Sequence, residues 1–187
     1  MLAIFVGPSG SGKTTLMEQM CHRCDCVLLE NFTTRDLRPH EQSRYHISVS
    51  EAQRLEEAGE LEFLNEVYGN FYGVTRVRFE EALLSPQLYL FDIYWSHLYK
   101  VVHSVHCVVL FDEIDEVEIN ERLLADGRGE RLSAVADDLS GIARVKAELI
   151  AGELTSKVLP VSDRTVVDLE RRILECSREN WLSAKTL

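Results

Sequence analysis

The segment Gly7–Thr14 has the residue types and spacing in this sequence that are best suited to chemistry. It reads G-P-S-G-S-G-K-T and matches the phosphate-binding pattern G-x-x-x-x-G-K-[ST]. Glycines at these positions let the backbone turn tightly and point its N–H groups at an anion beside the start of a helix. We predict that Lys13 contacts the β- and γ-phosphates of ATP and that Thr14 contributes its hydroxyl to a Mg²⁺ site. The residues predicted to bind the ATP phosphates are Gly7, Ser9, Gly10, Ser11, Gly12, Lys13, Thr14 and Thr15.

A second anion site is indicated by the segment Thr33–Pro39. It places Arg35 and Arg38 three residues apart in a chain whose formal net charge is −11. The planar guanidinium group matches phosphate oxygens, and two such charges held close together repel each other unless an anion lies between them. The segment therefore predicts a second phosphate site. The alternative is a solvated loop with two scattered arginines.

Two acidic positions compete for the metal. Asp92 ends the apolar run Leu88–Phe91, where an aspartate beside a phosphate loop can hold Mg²⁺ directly or through water. Asp112 and Glu113 follow a similar apolar run and have the form that ATP-hydrolysing proteins use to hold metal and activate water. We predict a metal site made by Thr14 and Asp92. The alternative is a P-loop ATPase or switch that uses Asp112 and Glu113.

The elements that must position these groups alternate between strands and helices. Apolar runs typical of buried parallel strands lie at 2–6, 26–29, 88–91, 105–111 and 157–161. Helical stretches are predicted at 14–22, 51–58, 76–84, 94–103, 116–125, 133–151 and 165–178. This pattern predicts an α/β fold of the P-loop NTPase class, with a parallel five-stranded sheet and helices on both faces. Its ligands are expected at the carboxyl ends of the strands.

The chain of 187 residues has the length of one domain, and two segments interrupt its alternating pattern. Residues 32–75 are polar and rich in turns, and we interpret them as an inserted acceptor-binding subdomain. Residues 126–141 are rich in Gly, Asp, Arg and Ser, and we interpret them as a mobile lid. The predicted P-loop core then consists of 1–31, 76–125 and 142–187.

The charge and hydropathy of the chain exclude some classes of partner. A net charge of −11 repels nucleic acid and anionic membrane surfaces at long range. No run approaches the roughly 18 apolar residues of a membrane span, and the apolar start is too short for a signal peptide. A cytoplasmic protein with small-molecule partners is therefore expected.

Cysteine and histidine give weaker signals. The five cysteines are expected to be reduced in such a protein. Cys21, Cys24 and Cys26 have the density of a metal site, but the second ligand pair that structural zinc needs is missing, because Cys107 and Cys176 are isolated. Four histidines have no partner pattern and are interpreted as surface or packing residues: His40, His97, His103 and His106.

Most of the chain resembles the guanylate kinase family, and the resemblance is specific over residues 1–84. It is carried by the phosphate loop, T-T-R-x-x-R at Thr33–Arg38, Tyr45, and G-N-F-Y-G at Gly69–Gly73. It implies that ATP and Mg²⁺ are bound and that the γ-phosphoryl group passes to the phosphate of a small phosphomonoester. An interaction module of the same family is disfavoured, because the phosphate loop is intact. The resemblance places Arg35, Arg38, Tyr45 and Tyr72 on the acceptor phosphate.

Arginines beyond residue 120 indicate a cover for the transferred group. Mobile arginines that close over a phosphoryl group stabilise the charge on its equatorial oxygens and exclude water. Gly127–Gly129 resembles the family's lid motif, and Arg144 resembles its arginine on the returning helix. Arg122 and Arg131 lie in the same stretch. The predicted catalytic residues are Lys13, Arg35, Arg128 and Arg144.

The resemblance does not extend to the positions that read guanine in the family. Those positions hold Asn31, Phe63, Val74 and Tyr94, of which only Asn31 can still bind a base in kind, with Glu62 as a neighbouring substitute. We therefore expect a nucleoside monophosphate or phosphoribosyl acceptor other than GMP, with true guanylate kinase as the alternative. The segments 72–74 and 96–98 resemble the ribose 1,5-bisphosphate phosphokinases of the family. The predicted acceptor-binding residues are Asn31, Arg35, Arg38, Tyr45, Glu62, Tyr72 and Val74.

Overall fold

The computed structural model describes residues 1–37, 44–67, 69–111, 114–152, 157–161 and 166–184. Its strands are β1 Leu2–Val6, β2 Cys26–Leu28, β3 Asn31–Thr33, β4 Arg44–His46, β5 Leu61–Val67, β6 Asn70–Thr75, β7 Leu88–Asp92, β8 Cys107–Leu110 and β9 Val158–Pro160. Its helices are α1 Lys13–Arg23, α2 Val49–Glu57, α3 Arg76–Leu84, α4 Leu98–Val101, α5 Glu116–Ala125, α6 Leu132–Ala151 and α7 Val166–Ala184. Two short 3₁₀ turns lie at Trp95–His97 and Gly129–Arg131. Among these described helices, none is long and apolar enough to cross a membrane.

The main sheet has five parallel strands in the order β2-β7-β1-β8-β9. The predicted five-stranded parallel sheet is therefore confirmed. In the register, Phe5 lies opposite Asp92, and Val6 lies opposite Leu110. Because all five strands run in one direction, the phosphate loop after β1 and Asp92 at the end of β7 lie at the same edge of the sheet.

Both faces of this sheet are covered, because side chains alternate along the central strand β1. Phe5 packs on one face, and Ile4 and Val6 pack on the other. The Phe5 face is covered by apolar residues of α1, α5 and α7: Met17, Met20, Ile119, Leu123, Leu169 and Ile173. The opposite face is covered by residues of α3, α4 and α6: Phe79, Ala82, Leu98, Ile142, Val145 and Leu149. The expected helices on both faces are thus present.

The segment predicted as an insertion, 32–75, contains nearly all of a second sheet. This sheet has the strand order β4-β3-β6-β5, in which β6 pairs antiparallel with both β3 and β5. Phe32, Ala52, Leu55 and Leu61 form its small core with α2. Phe32 packs so closely on Gly73 that a Cβ atom there would lie 2.4 Å from its ring, so this crossing requires glycine. The second sheet positions one wall of the cleft described below.

The segment 126–141, interpreted as a mobile lid, overlaps the helix that the sequence predicts at 133–151. Helix α6 begins at Leu132 and continues without a break to Ala151. Val135, Ile142, Val145 and Leu149 are buried at helical spacing along it, which stabilises the helix against the core. Only the first part of the segment, before Leu132, is a turn.

Candidate active site

The phosphate loop connects β1 to α1, and its backbone is shaped for an anion. Gly10 and Gly12 have φ angles of 84° and 89°, which side-chain-bearing residues rarely adopt. Gly12 caps α1 without a side-chain hydrogen bond, and the first turn of α1 holds no acidic residue. The N–H groups at the start of this helix, together with its dipole, therefore favour a phosphate at this position.

Lys13 lies inside this loop and is held by the loop itself. Its Nζ donates hydrogen bonds to the carbonyl oxygens of Gly7 and Pro8 at 2.7 and 2.8 Å, and to Ser11 Oγ at 3.2 Å. Burial lowers the pKa of Lys13 to about 8, although the carboxylates of Asp92 and Asp138 oppose that shift. A nucleotide phosphate gives this ammonium group a stronger partner than neutral carbonyl oxygens do.

Two cavities open beside the loop and meet at Lys13. The large cleft has a volume of about 770 Å³ and is lined by the phosphate loop, Arg35 and the arginines 122, 128 and 131. The small cavity has a volume of about 370 Å³ and reaches from Lys13 to Asn31 and His97. Six residues line both: Ser9, Lys13, Arg44, Tyr72, Asp92 and Arg131. We call these six residues the junction, and three of them carry cationic groups that suit phosphate oxygens.

Arg44 belongs to the junction and was missed by the sequence-based predictions. Its Nη2 donates to both carboxylate oxygens of Asp92 at 3.1 and 3.2 Å, and its guanidinium carbon lies 5.8 Å from the centre of the Tyr72 ring. The guanidinium of Arg35 lies 6.0 Å from the same ring. The sequence did hold a signal for this role, because Arg44 is a third arginine shortly after Arg35 in an acidic chain. Arg35, Arg44 and Tyr72 thus form one cluster beside Lys13.

Tyr45 occupies a different place from the one that the resemblance implies. It does not line either cavity, and its ring instead packs edge-on against Phe32 at 6.2 Å with Arg78 5.7 Å from its centre. The reason is the two-residue period of β4, which directs Arg44 and Tyr45 to opposite faces. The structure therefore brings Arg44 to the junction instead of Tyr45.

The wall of the small cavity is aromatic where the resemblance implied a base-reading carboxylate. The Phe63 ring stacks between Phe91 at 5.7 Å and His97 at 5.4 Å, with 18° between the planes in both pairs. Val74 is fully buried beneath this wall and does not line the small cavity. Glu62 also lies away from it, 3.9 Å from Arg76, because successive residues of β5 face opposite sides. Asn31, which the sequence predicts as an acceptor-binding residue, lines the cavity.

Three arginines from the C-terminal half lie over the phosphate loop. Arg131 Nη1 donates to Ser9 Oγ at 2.9 Å, and Arg122 Nη1 donates to the Gly10 carbonyl oxygen at 3.3 Å. Arg128 lines the large cleft and pairs with Asp126.

Arg144, in contrast, lies away from the large cleft. Its guanidinium carbon lies 5.3 Å from the centre of the Trp95 ring, on a part of α6 that packs over the other face of the sheet. The structure therefore brings Arg122, Arg128 and Arg131 to the loop, and does not bring Arg144 there.

Oxygen ligands for a divalent cation are present in the large cleft. Thr14 and Asp92 both line it, and a hydroxyl with a carboxylate is a donor set that Mg²⁺ accepts. The competing residues Asp112 and Glu113 lie outside the described residues, and so does Arg38. Within the described part of the chain, the predicted metal position therefore fits Mg²⁺ chemically.

Comparison with known proteins finds relatives of this chain. A family model described as an AAA domain matches residues 2–92. A guanylate kinase of Paraburkholderia xenovorans is 32% identical over 161 residues, covering 80% of this chain and 72% of that protein. A guanylate kinase of Cupriavidus metallidurans is 33% identical over 153 residues, covering 74% of this chain and 70% of that protein.

A solved structure shares the fold over nearly the whole chain. It is the crystal structure of guanylate kinase from Anaplasma phagocytophilum, which superimposes with a TM-score of 0.62 at 21% identity. The superposition covers 97% of this chain and 85% of that one. Together with the two relatives above, the phosphate loop and the parallel sheet show that this chain belongs to the guanylate kinase family.

Proposed function

We propose that this protein transfers the γ-phosphoryl group of ATP to the phosphate of a nucleoside monophosphate, with GMP as the first acceptor to test. As a member of the guanylate kinase family, the chain is an ATP-dependent phosphotransferase whose acceptor is a phosphate group. The relatives favour GMP over the sequence-based expectation that Phe63, Val74 and Tyr94 exclude it. The finer assignment of the acceptor is our proposal.

The observation that carries the proposal is the junction between the two cavities. Direct transfer of a phosphoryl group between two phosphates requires that both phosphates contact the same cationic side chains and that water is excluded. Lys13, Arg44 and Arg131 supply that charge, and each of them lines both cavities. A nucleotide in the large cleft and a monophosphate in the small cavity would thus present their phosphates to the same groups.

The chemistry needs neither a general base nor a covalent nucleophile from the protein. An acceptor phosphate is already anionic at neutral pH, so catalysis consists of positioning and charge neutralisation. Lys13 holds the donor phosphates, and Arg128 and Arg131 cover the transferred group. Arg44 holds the acceptor phosphate at the junction, and Arg35 approaches it from the large cleft beside Tyr72. Thr14 and Asp92 would hold Mg²⁺, which shields the charge of the donor phosphates when it is bound.

Acceptor-dependent release of ADP tests this function. The purified protein is incubated with Mg-ATP and, in turn, with GMP, AMP, CMP, UMP, ribose 5-phosphate and ribose 1,5-bisphosphate, and ADP is measured by a coupled assay. We expect release to require an acceptor and kcat/KM to be highest for GMP. Equal ADP release without any acceptor would instead indicate a P-loop ATPase. A preference for ribose 1,5-bisphosphate would overturn the nucleotide assignment and support the phosphoribosyl alternative.

A further inference from the structure

Two buried polar atoms in the wall of the small cavity have no hydrogen-bond partner among the described residues. They are Asn31 Oδ1 and His97 Nε2. Both residues line the cavity, and Asn31 is only 5% exposed. A buried polar atom without a partner destabilises the fold, so native proteins rarely keep one without a reason. By contrast, Asp138 lines the same cavity and accepts a hydrogen bond from Trp95 Nε1 at 3.2 Å.

His97 is held in place by ring contacts. It ends the 3₁₀ turn after β7, and its ring lies nearly parallel to Phe63, which in turn stacks on Phe91. This three-ring stack fixes the plane of the imidazole without using its Nε2. Burial, with a smaller contribution from the Lys100 ammonium, lowers the pKa of His97, so the ring is neutral at pH 7. A neutral imidazole offers one N–H donor and one lone pair.

The two atoms come from opposite parts of the fold. Asn31 begins β3 of the second sheet, whereas His97 follows β7 of the main sheet. A ligand in the cavity therefore lies between a wall from each sheet, with phosphate-binding groups at the junction end. A ligand that satisfies both walls needs a phosphate at one end and a hydrogen-bonding edge at the other. A nucleoside monophosphate has both features, whereas a sugar phosphate without a base offers only its hydroxyl groups for the second.

We propose that Asn31 and His97 read the hydrogen-bonding edge of the acceptor's base, so that His97 is a specificity-determining residue of this chain. The inference rests on the proposed function and names the residues by which the small cavity selects nucleoside monophosphates. His97 supplies a polar atom beside Phe63, where the resemblance implied a carboxylate contact. The edge of the base in turn supplies the partner that each of the two buried atoms lacks.

The test compares ligands with and without a base in a variant that keeps the ring stack. His97→Phe preserves an aromatic ring against Phe63 and removes both nitrogens. Binding of GMP, AMP and ribose 5-phosphate is measured by calorimetry, and turnover is measured by ADP release. We expect His97→Phe to raise the Kd of the preferred nucleoside monophosphate by about tenfold or more, which corresponds to the loss of one hydrogen bond. Ribose 5-phosphate binding and the KM for ATP should change less than about twofold.

Three further variants make the result specific. His97→Gln keeps a polar atom near the position of Nε2 and should recover part of the lost affinity. Asn31→Ala should weaken binding of the same nucleotide and leave binding of ribose 5-phosphate unchanged. His103→Phe is the matched control, because this histidine is exposed and lines neither cavity. Melting temperatures of all variants report any loss of fold.

The outcomes separate this inference from the proposed function. If the unsubstituted protein binds no nucleoside monophosphate, both proposals fail. If it binds one and His97→Phe leaves that affinity unchanged, the inference alone is overturned. Equal losses for the nucleotide and for ribose 5-phosphate would also overturn it, because they would assign His97 a purely structural role.

Discussion

The two cavities that meet at Lys13 are built in different ways. One wall of the large cleft is made by consecutive residues of the phosphate loop, whose N–H groups at the start of α1 and whose Lys13 suit an anion. The small cavity takes its wall from side chains far apart in the chain, such as Asn31, Phe63 and His97. The first kind of site binds phosphate whatever the rest of the ligand is. The second kind of site recognises the shape and the hydrogen-bonding edge of one ligand. Its residues can therefore change the choice of ligand while the phosphate-binding groups retain the reaction.

The largest expected effect comes from the phosphate loop. Lys13→Ala removes the ammonium group that would balance the charge of the donor phosphates, and we expect kcat to fall by about 10³-fold. The fold should persist, because within the described residues Lys13 Nζ donates its hydrogen bonds to the loop itself. ADP release measures the loss, and thermal unfolding checks the fold. Near-normal turnover in this variant would contradict the mechanism.

Much of the large cleft could be predicted from the sequence, because its determinants are local. Eight consecutive residues specify the phosphate loop, and contiguous apolar runs such as Leu2–Val6 and Leu88–Phe91 specify buried parallel strands. The carboxyl ends of those strands then bring Asp92 to the loop. Each of these steps uses only neighbouring residues and a general rule of parallel sheets.

The small cavity could be predicted only in part, because its determinants are tertiary. Asn31 was proposed from the resemblance alone. Whether Glu62 or Phe63 lines the cavity depends on which face of β5 is directed towards it. The role inferred for His97 depends on the absence of a partner for Nε2 among the described residues, which no sequence pattern reports. Arg44 was missed for a similar reason, since a shift of one residue in β4 exchanges its side chain with that of Tyr45.

The next largest effect tests Arg44 at the junction. Arg44→Ala removes a guanidinium group that faces both cavities, and we expect the KM for the acceptor to rise and kcat to fall. A charge-assisted hydrogen bond contributes about 1.5–3 kcal/mol, so kcat/KM should fall roughly 10- to 150-fold. Arg44→Lys keeps the positive charge but loses the planar guanidinium group. Its kcat/KM should therefore lie between that of the unsubstituted protein and that of Arg44→Ala.

Arg78→Ala is the matched control for this experiment. Arg78 is partly exposed, pairs with Glu30 at 2.7 Å and lines neither cavity. Its loss should leave the acceptor KM within about twofold of the unsubstituted value, as exposed ion pairs contribute little. If Arg44→Ala and Arg78→Ala changed the acceptor KM equally, the role proposed for Arg44 in acceptor binding would be wrong.

A smaller effect is expected at Tyr45, where the structure and the resemblance differ. Tyr45→Phe removes only a hydroxyl that lies away from both cavities, so kcat/KM for the acceptor should change less than about twofold. Tyr72→Phe, at the junction, should reduce it more. Steady-state kinetics with the best acceptor decides between the two positions. A larger loss at Tyr45 than at Tyr72 would show that the resemblance, and not this geometry, gives the acceptor-binding residue.

The smallest effect on activity is expected at His106, the partnered counterpart of His97. His106 Nδ1 accepts a hydrogen bond from the Leu2 N–H at 3.0 Å, so this nitrogen serves the fold. Burial, helped by the Met1 ammonium and Lys157, lowers the pKa of His106 to about 4. The ordinary pKa of histidine is about 6.5, so between these values the unfolded chain binds more protons than the folded one. The free energy of unfolding should therefore fall as the pH decreases through this window.

The variant His106→Asn separates this structural role from ligand recognition. Asparagine can accept the same hydrogen bond but does not titrate, so the variant should lose the part of the pH dependence that comes from His106. We expect that part to be about 2 kcal/mol between pH 7 and pH 5. Urea unfolding at both pH values measures it, and kcat/KM at pH 7.5 should stay unchanged. If acid destabilised the variant as much as the unsubstituted protein, His106 would not carry the effect. A changed acceptor preference in this variant would mean that a partnered histidine also affects ligand selection, and the contrast with His97 would be lost.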